Sequence, residues 1–296
     1  MRIGLFAPLA GPFATAEYLT TLGSAAEERG FHSLWVAEHV VLFDDYRSQY
    51  PYAANGRIPA PPESGILEPF TALAFLAAVT RRLRLGTGIC LLPQRNPVYT
   101  AKEAANVDFL SKGRLDLGIG VGWLAEEFRA VSAPFESRGA RCRSYVEVMR
   151  SLWCDEVSEY KDEHYELPAC RMYPKPVQLP HPPLHFGGES DAALRRVADI
   201  GQGWYGFNRD PAEAREGIGR LEVLLARRGR TLADVQVSIS PYLKPLREGD
   251  LPRYREAGVD QLILLAVAGD RDGLLRSLDQ LAPLVAEASL AGTGRA

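Results

Sequence analysis

The chain has 296 residues, a formal net charge of −3, 46% hydrophobic residues and 24% charged residues. This balance is typical of a globular enzyme, and it gives no electrostatic reason to expect a nucleic-acid partner or an anionic membrane surface. The apolar runs are shorter than the roughly 20 residues of a membrane span, and the four cysteines form no CxxC pair. We therefore expect a cytoplasmic enzyme with reduced thiols and no metal site.

The spacing of apolar runs predicts strands that alternate with helices along the whole chain. A first strand is predicted at Arg2–Pro8, a helix near Thr15–Arg29 and a second strand at Ser33–Ala37. The later strands are predicted at Leu83–Gly88, Leu115–Gly120, Leu184–Phe186, Gly203–Tyr205, Val235–Ser240 and Gln261–Leu265. About eight strand–helix units in one domain favour an α/β fold with a single closed (β/α)8 TIM barrel.

Two segments interrupt this repeat. The loop Val40–Glu68 after the second strand is long for a barrel and rich in aromatic and proline residues, which favours a lid over the active face. The segment Val157–Gln178 is rich in Tyr and Pro and predicts an excursion, such as a hairpin, before the fifth strand. We predict one domain over residues 1–291, followed by a polar tail at residues 292–296.

The region Arg82–Trp123 carries the clearest functional signal. Its two apolar strands end in closely spaced glycines and flank a helix-patterned segment, Val98–Leu110. Glycines at strand ends let a ligand approach the backbone, and the C-terminal strand ends form the active face of a β/α barrel. An open dinucleotide-binding sheet is disfavoured, because its glycine fingerprint belongs after the first strand and Trp123 occupies the place of its last glycine.

Five motifs in order resemble the luciferase-like flavin and deazaflavin oxidoreductases, particularly the compact F420-dependent members. The motifs are Leu34–His39, Leu85–Ile89, Gly113–Gly122, Tyr173–Gln178 and His185–Ser190. The resemblance implies an enzyme that transfers hydride between C5 of coenzyme F420 and a small organic substrate, and it implies a homodimer. The alternatives are an FMN-dependent two-component monooxygenase with a separate flavin reductase, and a catalytically silent flavin-binding barrel. A separate F420 reductase is also a conceivable partner.

The resemblance assigns roles to residues at the strand ends. Glu38 and His39 follow an apolar strand, where an imidazole can exchange protons near neutral pH, and the matching acidic–His pair of the family contacts the deazaflavin. Both are therefore candidate catalytic residues. Gly88–Ile89 matches a cis non-prolyl peptide that forms a bulge behind the cofactor ring. The other expected cofactor-binding residues are Leu91, Gly120, Val121, Gly122, Gly187, Gly188, Ser190 and Asp191.

Trp123 departs from the family pattern. In the sugar-phosphate dehydrogenases of the family a glutamate at this position acts as acid or base, so that chemistry does not carry over. Trp123 either walls the substrate pocket, together with Tyr46 and Tyr50, or packs at the barrel rim. Glu126 and Glu127 are expected on the outer face of a helix as solvated charges. Glu189 is expected to point away from the phosphate that the Gly187–Gly188 turn and Ser190 would cradle.

Overall fold

The structure is a computed structural model that describes residues 1–290. Its strands are β1 Arg2–Ala7, β2 Ser33–Val36, β3 Arg84–Thr87, β4 Leu115–Ile119, β5 Ser158–Lys161, β6 Glu166–Cys170, β7 Leu184–Gly187, β8 Gly203–Phe207, β9 Gln236–Ser240 and β10 Gln261–Leu265. Its α-helices are α1 Ala16–Glu28, α2 Pro69–Val79, α3 Pro97–Ser111, α4 Ala125–Ala130, α5 Arg138–Cys154, α6 Asp191–Ile200, α7 Pro211–Ala226, α8 Asp250–Ala257 and α9 Arg271–Leu290. The predicted tail at residues 292–296 lies outside the described residues.

Eight strands close into a barrel in the order β1-β10-β9-β8-β7-β4-β3-β2, and every pairing between them is parallel. The predicted TIM barrel is confirmed. The predicted excursion contains the antiparallel pair β5 and β6. β8 runs two residues beyond the predicted end at Tyr205, because Gly206 and Phe207 pair with Ile239 and Ser240 of β9.

The helices begin where the sequence supplies capping side chains. The Thr15 side chain accepts a hydrogen bond from the Tyr18 amide at the start of α1, at 3.1 Å. Asn96 caps α3 just before a proline, and Asp210 and Glu213 form a reciprocal capping box on α7. These contacts satisfy amides that have no partner within the helix, so the helix starts are fixed locally by the sequence.

The interior of the barrel changes from polar to aromatic toward the C-terminal strand ends. Near the N-terminal ends, the Ser33 hydroxyl accepts hydrogen bonds from Trp35 Nε1 and Gln261 Nε2, each at 2.8 Å. Above them, a buried cluster consists of Phe6, Trp35, Tyr205, Phe207 and Ile263. This cluster fills the barrel below its C-terminal mouth.

Candidate active site

A cavity of about 640 Å³ opens at the C-terminal strand ends. One side consists of backbone and small or aliphatic side chains after β3, β4 and β7. We call it the glycine wall, and its residues are Gly88, Ile89, Leu91, Val121, Gly122, Gly187 and Gly188. The opposite side comes from β1, β10 and the long loop after β2. We call it the apolar wall, and its residues are Phe6, Pro8, Phe13, Ile58, Leu265 and Val267. A cavity of this size accommodates an organic cofactor or substrate.

The peptide bond between Gly88 and Ile89 is cis, as the family resemblance implies. The Gly88 amide still donates to the Val36 carbonyl at 2.7 Å, and the Cys90 amide donates to the Gly118 carbonyl at 2.8 Å. The chain is therefore tied to both neighbouring strands on either side of the bulge, and the Gly88–Ile89 backbone lines the cavity.

The side chain of Ile89 explains two of the predicted glycines. A Cβ atom built on Gly120 would lie 2.1 Å from Ile89 Cδ1, and one built on Gly187 would lie 2.4 Å from the same atom. Both distances are far inside van der Waals contact, so a side chain at either position would displace the end of the Ile89 side chain. Gly120 itself does not line the cavity, whereas its neighbours Val121 and Gly122 do.

Glu38 lines the cavity, but its carboxylate is already engaged. It is 5% exposed, and it accepts hydrogen bonds from the Leu91 amide and from Arg95 Nε, the latter at 2.7 Å. Arg95 also pairs with Glu68 and Glu103. The structure thus places Glu38 in a buried ion-pair network that fixes the backbone after the bulge.

His39 is held by a buried carboxylate. Its Nδ1 lies 3.1 Å from an oxygen of Glu127, whose side chain is fully buried. The same carboxylate accepts hydrogen bonds from the Val40 amide at 2.7 Å and from Gln94 Nε2 at 3.0 Å. The expectation that Glu127 is a solvated charge is wrong. α4 is a short helix whose inner face turns toward the loop after β2, and Glu127 lies on that face.

The charge state of Glu127 defines the role of the imidazole. Burial by itself raises the pKa of Glu127, but the hydrogen bonds from His39, Gln94 and the Val40 amide outweigh it and hold this pKa below its ordinary value of 4.5. An ionised carboxylate only accepts hydrogen bonds, so Nδ1 of His39 carries a proton. His39 lines the cavity, and Nε2 is the ring nitrogen left for a ligand.

A luciferase-like monooxygenase family model matches residues 1–244 of the chain. The chain belongs to this family. An uncharacterized protein of Mycobacterium bovis is 34% identical over 225 residues, which cover 74% of this luciferase-like chain and 77% of that protein.

Solved structures with the same fold superpose on nearly the whole luciferase-like chain. A monooxygenase of Streptomyces bottropensis has a TM-score of 0.76 at 21% identity and covers 98% of this chain and 100% of its own. A coenzyme F420 dependent tetrahydromethanopterin reductase of Methanopyrus kandleri has a TM-score of 0.74 at 16% identity. The match covers 97% of this chain and 98% of the reductase chain. At these identities the likeness shows the fold alone.

The long loop of this luciferase-like barrel is anchored beside Trp123. Glu126, which we expected to be a solvated charge, accepts hydrogen bonds from the Arg47 amide at 2.8 Å and from Ser48 Oγ at 2.7 Å. The Trp123 ring lies 5.7 Å from the Tyr46 ring and 5.3 Å from the Tyr50 ring, both edge-on. Trp123 and Tyr50 line the cavity, while Tyr46 supports Trp123 from outside it.

The predicted phosphate cradle is arranged differently from the expectation. The Glu189 carboxylate accepts hydrogen bonds from the Tyr52 hydroxyl at 3.1 Å and from the Phe207 amide at 2.9 Å. Ser190 caps α6 through the Ala193 amide at 3.2 Å. Asp191 pairs with Arg220 on the outside of the barrel. Ser190 and Asp191 contribute no surface to the cavity, in contrast to Gly187 and Gly188.

Sequence reasoning missed the carboxylate partner of His39 and the ion-pair partner of Glu38. A signal for Glu127 was present: in a helix, side chains at adjacent positions point about 100° apart, so Glu126 and Glu127 point in different directions. Among residues 1–290 there is no cluster of His, Cys, Asp and Glu that could hold a metal ion. Over the same residues, no helix is long and apolar enough to cross a membrane.

Proposed function

We propose that this chain is an oxidoreductase that uses coenzyme F420 to exchange a hydride with a small organic substrate while His39 exchanges the accompanying proton. The observation that carries the proposal is the pairing of His39 with the fully buried carboxylate of Glu127 at 3.1 Å, at the edge of the glycine wall. A two-electron reaction at carbon needs a group that accepts or supplies a proton at the neighbouring atom, and a positioned imidazole suits this task near neutral pH.

The residues present fit a deazaflavin. The glycine wall offers a surface of backbone and aliphatic groups for an apolar tricyclic ring, and Gly187 and Gly188 precede the N-terminus of α6, where amides favour a phosphate. When bound, coenzyme F420 supplies a C5 atom that accepts or donates hydride, and the protein has only to orient it.

The side chains around His39 prepare its imidazole for the proton exchange. Glu127 keeps Nδ1 protonated and stabilises the positive charge that the imidazole gains when Nε2 takes a proton from the substrate. The Val40 amide and Gln94 hold the Glu127 carboxylate in place. The Trp123 ring lies 6.0 Å from the imidazole ring and limits the access of water on that side.

An FMN-dependent monooxygenase is the second candidate. It is favoured by the family description and by the monooxygenase identity of the Streptomyces bottropensis structure. Such an enzyme would draw reduced flavin from a separate reductase. The homodimer expected from the sequence stays a prediction under either cofactor.

Titration of the purified protein with F420 and, separately, with FMN tests the proposal through the fluorescence of each cofactor. We expect F420 to bind in the micromolar range or more tightly, and FMN to bind at least tenfold more weakly. Micromolar binding of FMN without binding of F420 would overturn the proposal in favour of the monooxygenase.

A further inference from the structure

The following inference rests on the proposed function. We propose that the site selects an uncharged substrate that has an apolar, ring-containing body and one hydroxyl or carbonyl oxygen directed at His39. The body would lie against the apolar wall, across the cavity from the cofactor. The selection depends on three features of the cavity: its aromatic lining, its charges and its few available polar groups.

Aromatic rings form a continuous chain from the apolar wall to His39. The ring of Phe207 lies 5.3 Å from that of Phe6 and 5.0 Å from that of Tyr52. Tyr50 continues the chain at 5.5 Å from Tyr52, and the Trp123 ring follows at 5.3 Å. Rings at these separations present edges and faces to a neighbouring ring, and aromatic pairs prefer such arrangements. The lining therefore favours a ring-shaped apolar body over a polar chain.

The cavity offers no counter-ion for a charged substrate. Among the residues that the structure describes, no lysine or arginine lines it. The carboxylate of Glu38 does line it, but it is already engaged by the Leu91 amide and by Arg95. A phosphate or carboxylate group of the substrate would lose its hydration here without gaining a partner of opposite charge, and an ammonium group would find only a carboxylate that Arg95 already engages.

Most hydroxyl groups of the lining are also committed. The Tyr52 hydroxyl donates to Glu189, whereas the Tyr205 hydroxyl is buried and has no hydrogen-bond partner within residues 1–290. Burial raises the pKa of Tyr50, and its hydrogen bond with Tyr242 adds to this, so that Tyr50 remains a neutral phenol. His39 lines the cavity beside the glycine wall and can meet a substrate oxygen. Ser64 on the long loop also lines the cavity, but its hydroxyl carries no charge that could offset the charge of an ion.

Three probes of nearly equal shape test this selection: acetophenone, phenylacetate and the 1-phenylethylammonium ion. Their dissociation constants are measured by calorimetry on the protein with and without oxidised F420, so that no turnover is needed. We expect acetophenone to bind at least tenfold more tightly than either ion. The Val267→Lys variant places a cation on the apolar wall and should reduce the preference for acetophenone over phenylacetate at least tenfold. The matched control Val223→Lys, at an exposed position of α7, should leave it unchanged.

The outcomes separate this inference from the proposed function. Equal or tighter binding of an ion by the unmodified protein overturns the inference, and so does the absence of binding by all three probes up to their solubility. An unchanged preference in Val267→Lys, with a melting temperature close to that of the unmodified protein, overturns it as well. If F420 does not bind but the preference and its reduction are found, the proposed cofactor is wrong and the assignment of substrate class stands.

Discussion

The two walls of the cavity are built in opposite ways. The glycine wall is backbone held by the barrel itself, with Ile89 pressed against the sites of Gly120 and Gly187. The apolar wall consists of side chains from strand ends and from the long loop. Backbone within a hydrogen-bonded barrel is a fixed surface, whereas loop side chains can change without altering the fold. The comparison teaches that the wall we assign to the cofactor is constrained by the architecture, whereas the wall we assign to the substrate is open to variation.

Carboxylates connect the two walls. Glu127 holds His39, Glu126 holds the loop at Ser48, and Glu189 holds it again at Tyr52. Each of these acids lies on the barrel and bonds to a residue that follows β2. The loop is therefore fastened to the barrel on both sides of the cavity, which positions the aromatic rings that we assign to the substrate.

The largest effect is expected where the two walls meet, at His39. Because we assign the proton exchange to its imidazole, His39→Ala should lower turnover about 100-fold while the F420 dissociation constant changes less than about threefold. The measurement is steady-state turnover together with the fluorescence titration. His164→Ala, in the hairpin away from the cavity, serves as the control. Unchanged turnover in His39→Ala would remove this residue from the mechanism.

The second prediction separates two adjacent acids. Glu127→Gln should lower turnover about 10-fold or more, because a neutral amide stabilises the charged imidazole less well than a carboxylate. Glu126→Gln should act mainly on the KM of the substrate, because Glu126 anchors the loop and does not contact His39. The two variants are compared in kcat and KM under the same conditions. Equal effects on kcat would contradict distinct roles.

The third prediction tests the constraint on the glycine wall. Gly120→Ala should destabilise the protein by about 1–3 kcal/mol through overpacking against Ile89, measured by denaturant unfolding. The double variant Gly120→Ala/Ile89→Ala should lose less free energy of unfolding than the two single variants lose together. Gly219→Ala is the matched control. It lies exposed in α7 with no atom near its added methyl group, and it should stabilise by about 0.5–1 kcal/mol. Additive losses would show that Ile89 does not require the glycine.

The smallest effect is expected in how the stability of two variants, Glu189→Gln and Glu127→Gln, changes with pH. Burial raises the pKa of Glu189 above its ordinary 4.5, so its ionisation costs stability as pH rises through the raised pKa. Glu189→Gln should thus be as stable as the unmodified protein near pH 4 and more stable near pH 7.5, by less than about 1 kcal/mol. The pKa of Glu127 is lowered, so Glu127→Gln should lose most stability near pH 7 and less in acid. Unfolding curves at both pH values check these opposite slopes.

Much of the barrel could be predicted from local pattern. The strands and helices follow from the periodicity of apolar residues, and capping residues such as Thr15 and Asp210 mark the helix starts. The cis peptide at Gly88–Ile89 was predictable only through the family resemblance, because nothing in the local residue pattern requires it. Strand ends shifted by one or two residues, since pairing with a neighbouring strand decides where a strand stops.

The site was only partly predictable. His39 and the glycines follow strands directly, so their place on the active face could be inferred from the chain order. The partners of these residues could not: Glu127 is 88 positions from His39, and Arg95 is 57 positions from Glu38. Adjacent acids in the sequence, Glu126 and Glu127, have different surroundings because the helix turns one toward the loop backbone and the other toward the imidazole.

The sequence by itself determined the repeating α/β pattern, the closed barrel, the face that carries the site and the family. These features depend on short-range periodicity and on motifs that are contiguous in the chain. Only the tertiary structure decided that the carboxylate of Glu127 holds His39, that Glu38 pairs with Arg95, and that Gly120 makes room for Ile89. These are contacts between distant segments, and their energies depend on burial and on distances of a few ångströms, which no local pattern encodes.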